Sequence, residues 1–124
     1  MPLAEPSRQV RFAPAARSSD PWLGTFAGRM RYFRRAWDES RGDEYDAWGT
    51  STWYFEVGDD GYPLRQIEVY EHGVVLKYDR SLPDDVFGGL GNQALDLDEF
   101  RAFEISAEVF DAAWFQLVRR TPAG

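Results

Sequence analysis

The 124-residue sequence contains no cysteine. Disulfides, thiolate zinc sites and a cysteine nucleophile are therefore excluded, and the absence fits a reducing compartment. Histidine is scarce as well: His72, in "YEHGVV", is the only one and stands before a glycine. It reads as a turn residue, and a Ser–His or Cys–His nucleophile system has no candidate. No apolar run approaches the roughly 20 residues needed to cross a bilayer. No positively charged start leads into the apolar core of a secretion signal. The expectation is a soluble, cytoplasmic protein with no cofactor, no metal and no membrane partner.

Aromatic residues and acids are abundant. Five Trp, six Tyr and nine Phe can fill the core of a short chain, because each buries a large area. The net charge is −7, but it is unevenly spread. Residues 1–29 hold four Arg against two acids, whereas residues 30–124 hold ten basic residues against nineteen acidic ones. An acidic body repels nucleic-acid phosphates and favours encounter with a basic protein.

The chain divides at Met30. "MPLAEPSRQVRFAPAARSSDPWLGTFAG" is rich in Pro, Ala, Ser and Arg and lacks any sustained period. Such a composition does not bury enough surface to offset its ordering entropy. Residues 1–29 are expected to be a flexible leader or an upstream extension of the reading frame. Residues 30–124 are expected to form one domain.

Within that domain, "MRYFRRAW" alternates, with Arg31, Phe33, Arg35 and Trp37 on one side. "STWYFEV" places Trp53, Phe55 and Val57 on one face. Asp60–Gly61 marks a hairpin-type turn. In "LRQIEVYE", Ile67 and Val69 oppose Gln66, Glu68 and Tyr70. His72–Gly73 is the next turn, and "VVLKYD" is a further strand. "RSLPDDVFGGLGNQ" is interrupted by Pro and Gly and reads as a loop. "LDLDEFRAF" holds one helical turn. Ser106 suits an N-cap, Ile105 and Phe110 stand at staple spacing, and Val109, Phe110, Ala113, Trp114, Leu117 and Val118 form a helical stripe. Arg119 and Arg120 are expected to complement the helix dipole. The predicted class is α+β: a four-stranded, mostly antiparallel meander with a C-terminal helix packed on one face.

Three stretches carry chemistry worth weighing. "FGGLGN" has no Lys-Ser or Lys-Thr after its glycines, so it lacks a phosphate-binding loop's charge. It reads as a flexible turn, or as a lid over a small-ligand pocket. Glu56 and Glu68 are candidates for a carboxylate pair across the hairpin, of the kind that does acid–base work. Charges on a solvated sheet face are the plainer reading.

The third stretch is "WDESRGDEYDAWG". It sets Asp38, Glu39, Asp43, Glu44 and Asp46 among Trp37, Tyr45 and Trp48, and its acids do not match an EF-hand ladder. A solvated loop has no need of these aromatics. Either the two Trp pin the loop to the sheet, or Trp48 and the five carboxylates form an acidic docking surface for a basic protein. The expected partner-binding residues are Asp38, Glu39, Asp43, Glu44, Asp46 and Trp48, with no catalytic or metal-ligating residue.

"RQIEVYEHG", "PDDVFGGLG" and "EISAEVFDAAW" together resemble a class of small uncharacterised bacterial domains, found especially in actinobacteria. The resemblance spans about residues 30–118 and leaves the leader outside. It implies a discrete domain, loosely of the immunity-protein kind that masks a toxin, and it carries over no catalytic residue. The expectation is a non-enzymatic acidic binding module. The alternatives are a ligand pocket or minor carboxylate enzyme under the Gly-rich loop, and a structural or regulatory domain.

Overall fold

The computed structural model describes residues 30–122, so the leader expected at 1–29 lies outside the described residues. The elements in chain order are β1 (Arg31–Trp37), β2 (Ser51–Val57), β3 (Pro63–Tyr70), β4 (Val75–Tyr78), β5 (Asp84–Asp85), β6 (Gly88–Gly89), α1 (Leu97–Phe100), β7 (Glu104–Ile105) and α2 (Ala107–Gln116). Short 3-10 turns occupy Asp46–Trp48 and Arg101–Phe103. The fold is α+β, with a five-stranded sheet in the order β4-β3-β2-β1-β7, antiparallel at every pairing.

The fifth strand departs from the expected four. Glu104 and Ile105, the two residues before the helix N-cap, pair with Phe33 and Tyr32. Arg31 reinforces this edge with two hydrogen bonds to Glu104, at 3.2 and 3.1 Å. A two-residue strand has no periodicity to display, so its sequence gives no strand signal.

Period-two alternation builds the sheet's two faces. Phe33, Trp37, Trp53, Phe55 and Val57 turn to one side and cluster with Leu95 and Phe100. Leu76, Tyr78 and Tyr70 extend that face toward Trp48 and Val74. Ile67 and Val75 turn to the other side, where Phe110 of α2 packs between them and Tyr32, Tyr54 and Val69. The helix therefore covers one face. The opposite face is roofed by α1, the 38–48 loop and the small β5–β6 hairpin.

α2 starts where expected: the Ser106 hydroxyl accepts from the Val109 N–H at 3.1 Å, and Ile105 and Phe110 join one cluster. The inward stripe is narrower than its sequence suggests. Phe110, Ala113, Trp114 and Leu117 pack on the sheet, whereas Val109 and Val118 are exposed. The dipole expectation for Arg119 and Arg120 also changes. Lys77 of β4 donates to the carbonyls of Trp114 and Leu117 at 2.6 and 3.1 Å and so meets the helix end. Helical geometry stops at Gln116. Arg119 then ion-pairs with Asp85, and Arg120 pairs its backbone with Val75 along the edge of β4.

The two predicted turns are present. Gly61 and Gly73 take φ of 84° and 104°, values that L side chains rarely adopt. The Gly61 carbonyl also accepts from the Leu95 N–H at 3.0 Å and ties the β2–β3 turn to the segment leading into α1.

Candidate functional site

The acidic loop between β1 and β2 is organised around one cation. Arg41 is 3 % exposed, deep among acids that its sequence neighbours leave in water. Its Nε donates to Asp43 Oδ2 at 3.1 Å, and its Nη2 donates to the Phe87 carbonyl at 2.8 Å. Its guanidinium lies about 5 Å from the ring centres of Tyr45 and Trp48, close enough for cation–π attraction. The remaining nitrogen, Nη1, has no hydrogen-bond partner. One side chain thus ties the loop to its own carboxylate, to two aromatic rings and to the β5–β6 hairpin.

The aromatics complete the pin. Trp48 stacks on Tyr45 at 4.5 Å and meets Tyr70 and Phe87 edge-on or tilted. It is buried, as is Trp37. Trp48 is therefore not the exposed partner-binding anchor proposed on sequence grounds. Its ring is used by the core, because Tyr70, Val74 and Tyr78 offer an apolar bed beside it.

The five carboxylates separate into two groups. Asp43 and Asp46 are internal acceptors. Asp43 Oδ1 accepts from the Tyr45 N–H at 2.8 Å. Asp46 Oδ1 accepts from the Gly42 N–H at 2.6 Å and from the Ser40 hydroxyl. Asp38, Glu39 and Glu44 are exposed and leave the loop. Glu44 lies beside the Tyr45 phenol, whose pKa it raises. Nearby, Glu71 accepts from the Thr50 N–H at 3.1 Å, a bond that favours its ionised form. Asp38 and Glu71 flank an open cleft of about 770 Å³, whose lining includes Thr50, Ser51, Thr52 and Val69.

Beneath the loop lies a buried polar row that the sequence reading assigns to a solvated face. Gln66, Glu68 and Tyr70 of β3 share the inner face, with Gln66 and Glu68 fully buried. Glu68 accepts from the Tyr70 phenol at 2.6 Å and from Gln66 Nε2 at 2.8 Å. Gln66 also donates to the Gly89 carbonyl at 3.1 Å and accepts from the Gly91 N–H at 3.0 Å. Burial pushes the Glu68 carboxyl up to about 7, against the pull of those donors and of Arg41. Tyr70 and Tyr78 are both driven well above the ordinary phenol range, first by burial. Tyr78 donates to Asp85 at 2.8 Å.

These contacts revise two expectations. Glu56 and Glu68 do not form a pair. Glu56 turns to the helix face, where Arg65 bonds it at 2.7 and 3.0 Å and also reaches Asp111. Glu68 turns to the opposite face, since one residue of separation from Ile67 reverses a side chain on a strand. "FGGLGN" is not a free turn either. Gly88 and Gly89 pair with Asp84 and Asp85 and are bonded down onto Gln66. A Cβ on Gly89 would stand 2.9 Å from the Asp84 Cβ and 3.0 Å from the Pro83 carbonyl, so close backbone approach accounts for the glycine.

Among the described residues, no three His, Asp or Glu side chains converge in a way that would hold a metal ion. Among the described residues, no helix is long and apolar enough to cross a membrane. His72 sits at the exposed β3–β4 turn, its backbone N–H donating to the Trp48 carbonyl at 3.1 Å. Set against protein families, curated proteins and solved structures, the chain finds no match.

Proposed function

We propose that this protein is a non-enzymatic acidic binding module that engages a basic protein, in the manner of an immunity protein masking a toxin. The observation that carries this reading is the division of labour in the 38–46 loop. Arg41, Asp43, Asp46 and Trp48 are consumed in fixing its shape, while Asp38, Glu39 and Glu44 project into water. A charge held on a fixed loop keeps its place in the surface potential and is spared the cost of ordering the loop backbone upon binding. The described residues hold ten basic side chains against nineteen acidic ones, a background that adds to the same potential. The resemblance to small uncharacterised actinobacterial domains, loosely immunity-protein-like, agrees with this reading and with a cytoplasmic setting. The carboxylate-enzyme alternative loses its pair, because Glu56 is held by Arg65 and Glu68 has no exposed surface.

The test is association kinetics against a panel of basic toxin domains, with Asp38→Asn, Glu39→Gln and Glu44→Gln combined. The triple variant should keep its melting temperature and associate about tenfold more slowly at low ionic strength, the difference closing as salt is added. An unchanged association rate at low salt would remove this loop from the interface. Failure of every basic domain to bind would defeat the reading as a whole.

A further inference from the structure

The two edges of the sheet are finished differently. At β4, Arg120 pairs its backbone with Val75. At β1, β7 closes the edge only opposite Tyr32 and Phe33. Past β7, residues 34–37 have β2 on one side and, among the described residues, no strand on the other. Every second residue there turns its N–H and C=O away from β2. An edge of such groups is a template for another strand. On the sheet face away from Trp37 and Phe33, Arg34 and Ala36 are exposed. Asp38, the next position on that face, joins Ala36 in lining the open cleft at the end of the sheet.

The charges along this edge select an occupant. β1 carries three arginines and no acid. Arg31 is answered within the chain by Glu104, and Arg35 by Glu99. Among the described residues, neither the Arg34 guanidinium nor the Asp38 carboxylate has an ion-pair partner. A two-fold contact would set β1 antiparallel to itself. Residues that face each other in such a pair both turn their backbone groups outward or both inward, so the axis falls on a residue and not between two. An axis at Arg34 or Arg35 would set arginine against arginine, an unfavourable pair. One at Trp37 would carry Arg34 past the strand to face Ser40. An axis at Ala36 puts Arg34 of each copy opposite Asp38 of the other, and Arg35 opposite Trp37. Ala36 is also the midpoint of the free stretch, between Phe33, where the pairing with β7 ends, and Glu39, where the chain bends away.

We propose that this edge is a self-association surface: two copies pair their β1 strands antiparallel about Ala36, with an Arg34–Asp38 ion pair on each side of the axis. Two five-stranded sheets become one. Each chain is acidic overall, but the strand that meets its counterpart is basic and the residue after it is acidic, so charge at the contact is complementary. The pairing also brings the clefts at the two sheet ends side by side across the axis, since Ala36 and Asp38 line both. The proposal is independent of the binding-module reading: Asp38 is used at the contact, while Glu39 and Glu44 stay in water.

The experiment uses the full chain with no other protein present. Sedimentation equilibrium at low salt, from micromolar to millimolar protein, should show a reversible dimer in the wild type. Amide hydrogen exchange within residues 34–37 should slow as the concentration rises. Arg34→Glu sets an acid opposite Asp38, and Asp38→Arg sets a base opposite Arg34. Each turns two ion pairs per dimer into two like-charge pairs and should raise the dissociation constant about tenfold or more. The double variant, Arg34→Glu with Asp38→Arg, restores opposite charges and should return the constant to within about threefold of wild type. Thermal melting at high dilution, where the copies are apart, should be alike in all four proteins, because both side chains are exposed. A wild type that stays monomeric throughout would overturn the proposal and leave the edge to a strand of another protein. A dimer that either single reversal leaves intact, or that the double variant fails to restore, would also overturn it and place the contact elsewhere.

Discussion

Glu68 should make this protein less stable as the pH rises through neutrality. The carboxyl is fully buried between Trp53 and Leu76 on the neighbouring strands, and its pKa rises from 4.5 to about 7, chiefly by burial. In the unfolded chain it ionises near its ordinary value. Below that value the group is protonated in both states and costs nothing. Between the two values the native state holds a proton that the unfolded state has released, so unfolding gains with each pH unit. Above the folded value both states are ionised and the loss is complete. At about 1.4 kcal/mol for each pH unit between 4.5 and about 7, the complete loss is roughly 3.5 kcal/mol.

The groups facing Glu68 define the control. Arg41 and the donors Tyr70 and Gln66 favour the ionised form, whereas Asp85 opposes it. Other carboxylates, such as Glu104 held low by Arg31 and Asp79 held low by Ser81, titrate in the opposite sense at acid pH. Their contribution is shared by wild type and Glu68→Gln, and it cancels in the difference. Glu68→Gln shifts the absolute stability by an amount that does not depend on pH, since Gln does not titrate, so the slope is the observable. Urea unfolding followed by Trp fluorescence at pH 5, 6, 7 and 8 should show the wild type losing about 2.5 kcal/mol relative to the variant over that range, the remainder of the loss falling below pH 5. A flat difference, or one that grows with pH in favour of the wild type, would mean that Arg41 keeps Glu68 ionised throughout and would refute the reasoning.

Three further outcomes follow from the packing. Trp48→Ala should cost roughly 3–5 kcal/mol, because it empties a site lined by Tyr45, Tyr70 and Phe87; chemical denaturation measures it, and a loss below about 1 kcal/mol would return Trp48 to the surface. Ser106→Ala removes the N-cap hydroxyl of α2 and should cost about 1 kcal/mol, recovered in part by Ser106→Asp. Gly89→Ala forces its Cβ against Asp84 and the Pro83 carbonyl, so it should lower the melting temperature and speed hydrogen exchange at the Gly91 amide.

The part of this fold that is legible in the sequence is the part made by local alternation. β2, β3 and β4 show their faces in "STWYFEV", "LRQIEVYE" and "VVLKYD", and the helix start is written in Ser106 and Ile105. What is not legible depends on distant partners. The Gly-rich segment looks loose because glycine and proline break every period, yet Gln66, more than twenty residues away, fixes it through Gly89 and Gly91. Arg41 looks solvated because its sequence neighbours are acids, and only the fold brings Phe87 and Trp48 against it. Glu68 could have been found. Cross-strand neighbours share a face, so the register that buries Trp53 and Phe55 also buries the residues opposite them, Glu68 and Gln66.

The loop's design follows from the same accounting of polar groups. A buried guanidinium leaves a desolvation cost that one part-buried carboxylate and one carbonyl offset only in part, and Nη1 stays unpartnered. Apolar packing would cover this face at lower cost. What Arg41 adds is direction: its planar fork accepts one arrangement of Asp43, Phe87 and the Tyr45–Trp48 stack, and so fixes where Asp38, Glu39 and Glu44 stand. The carboxylates of this loop are then not interchangeable. Replacing Asp43 and Asp46 by Ala removes acceptors that hold Arg41, Tyr45, Gly42 and Ser40. It should lower stability by about 2–4 kcal/mol, because it leaves a buried charge and backbone donors unpaired. Neutralising Asp38, Glu39 and Glu44 should change stability by less than about 0.5 kcal/mol, as expected of exposed charges. Urea titrations of the two variants, side by side, decide the matter. Equal losses would mean that the loop's shape does not depend on Arg41, and the separation of its acids into structural and surface groups would fall.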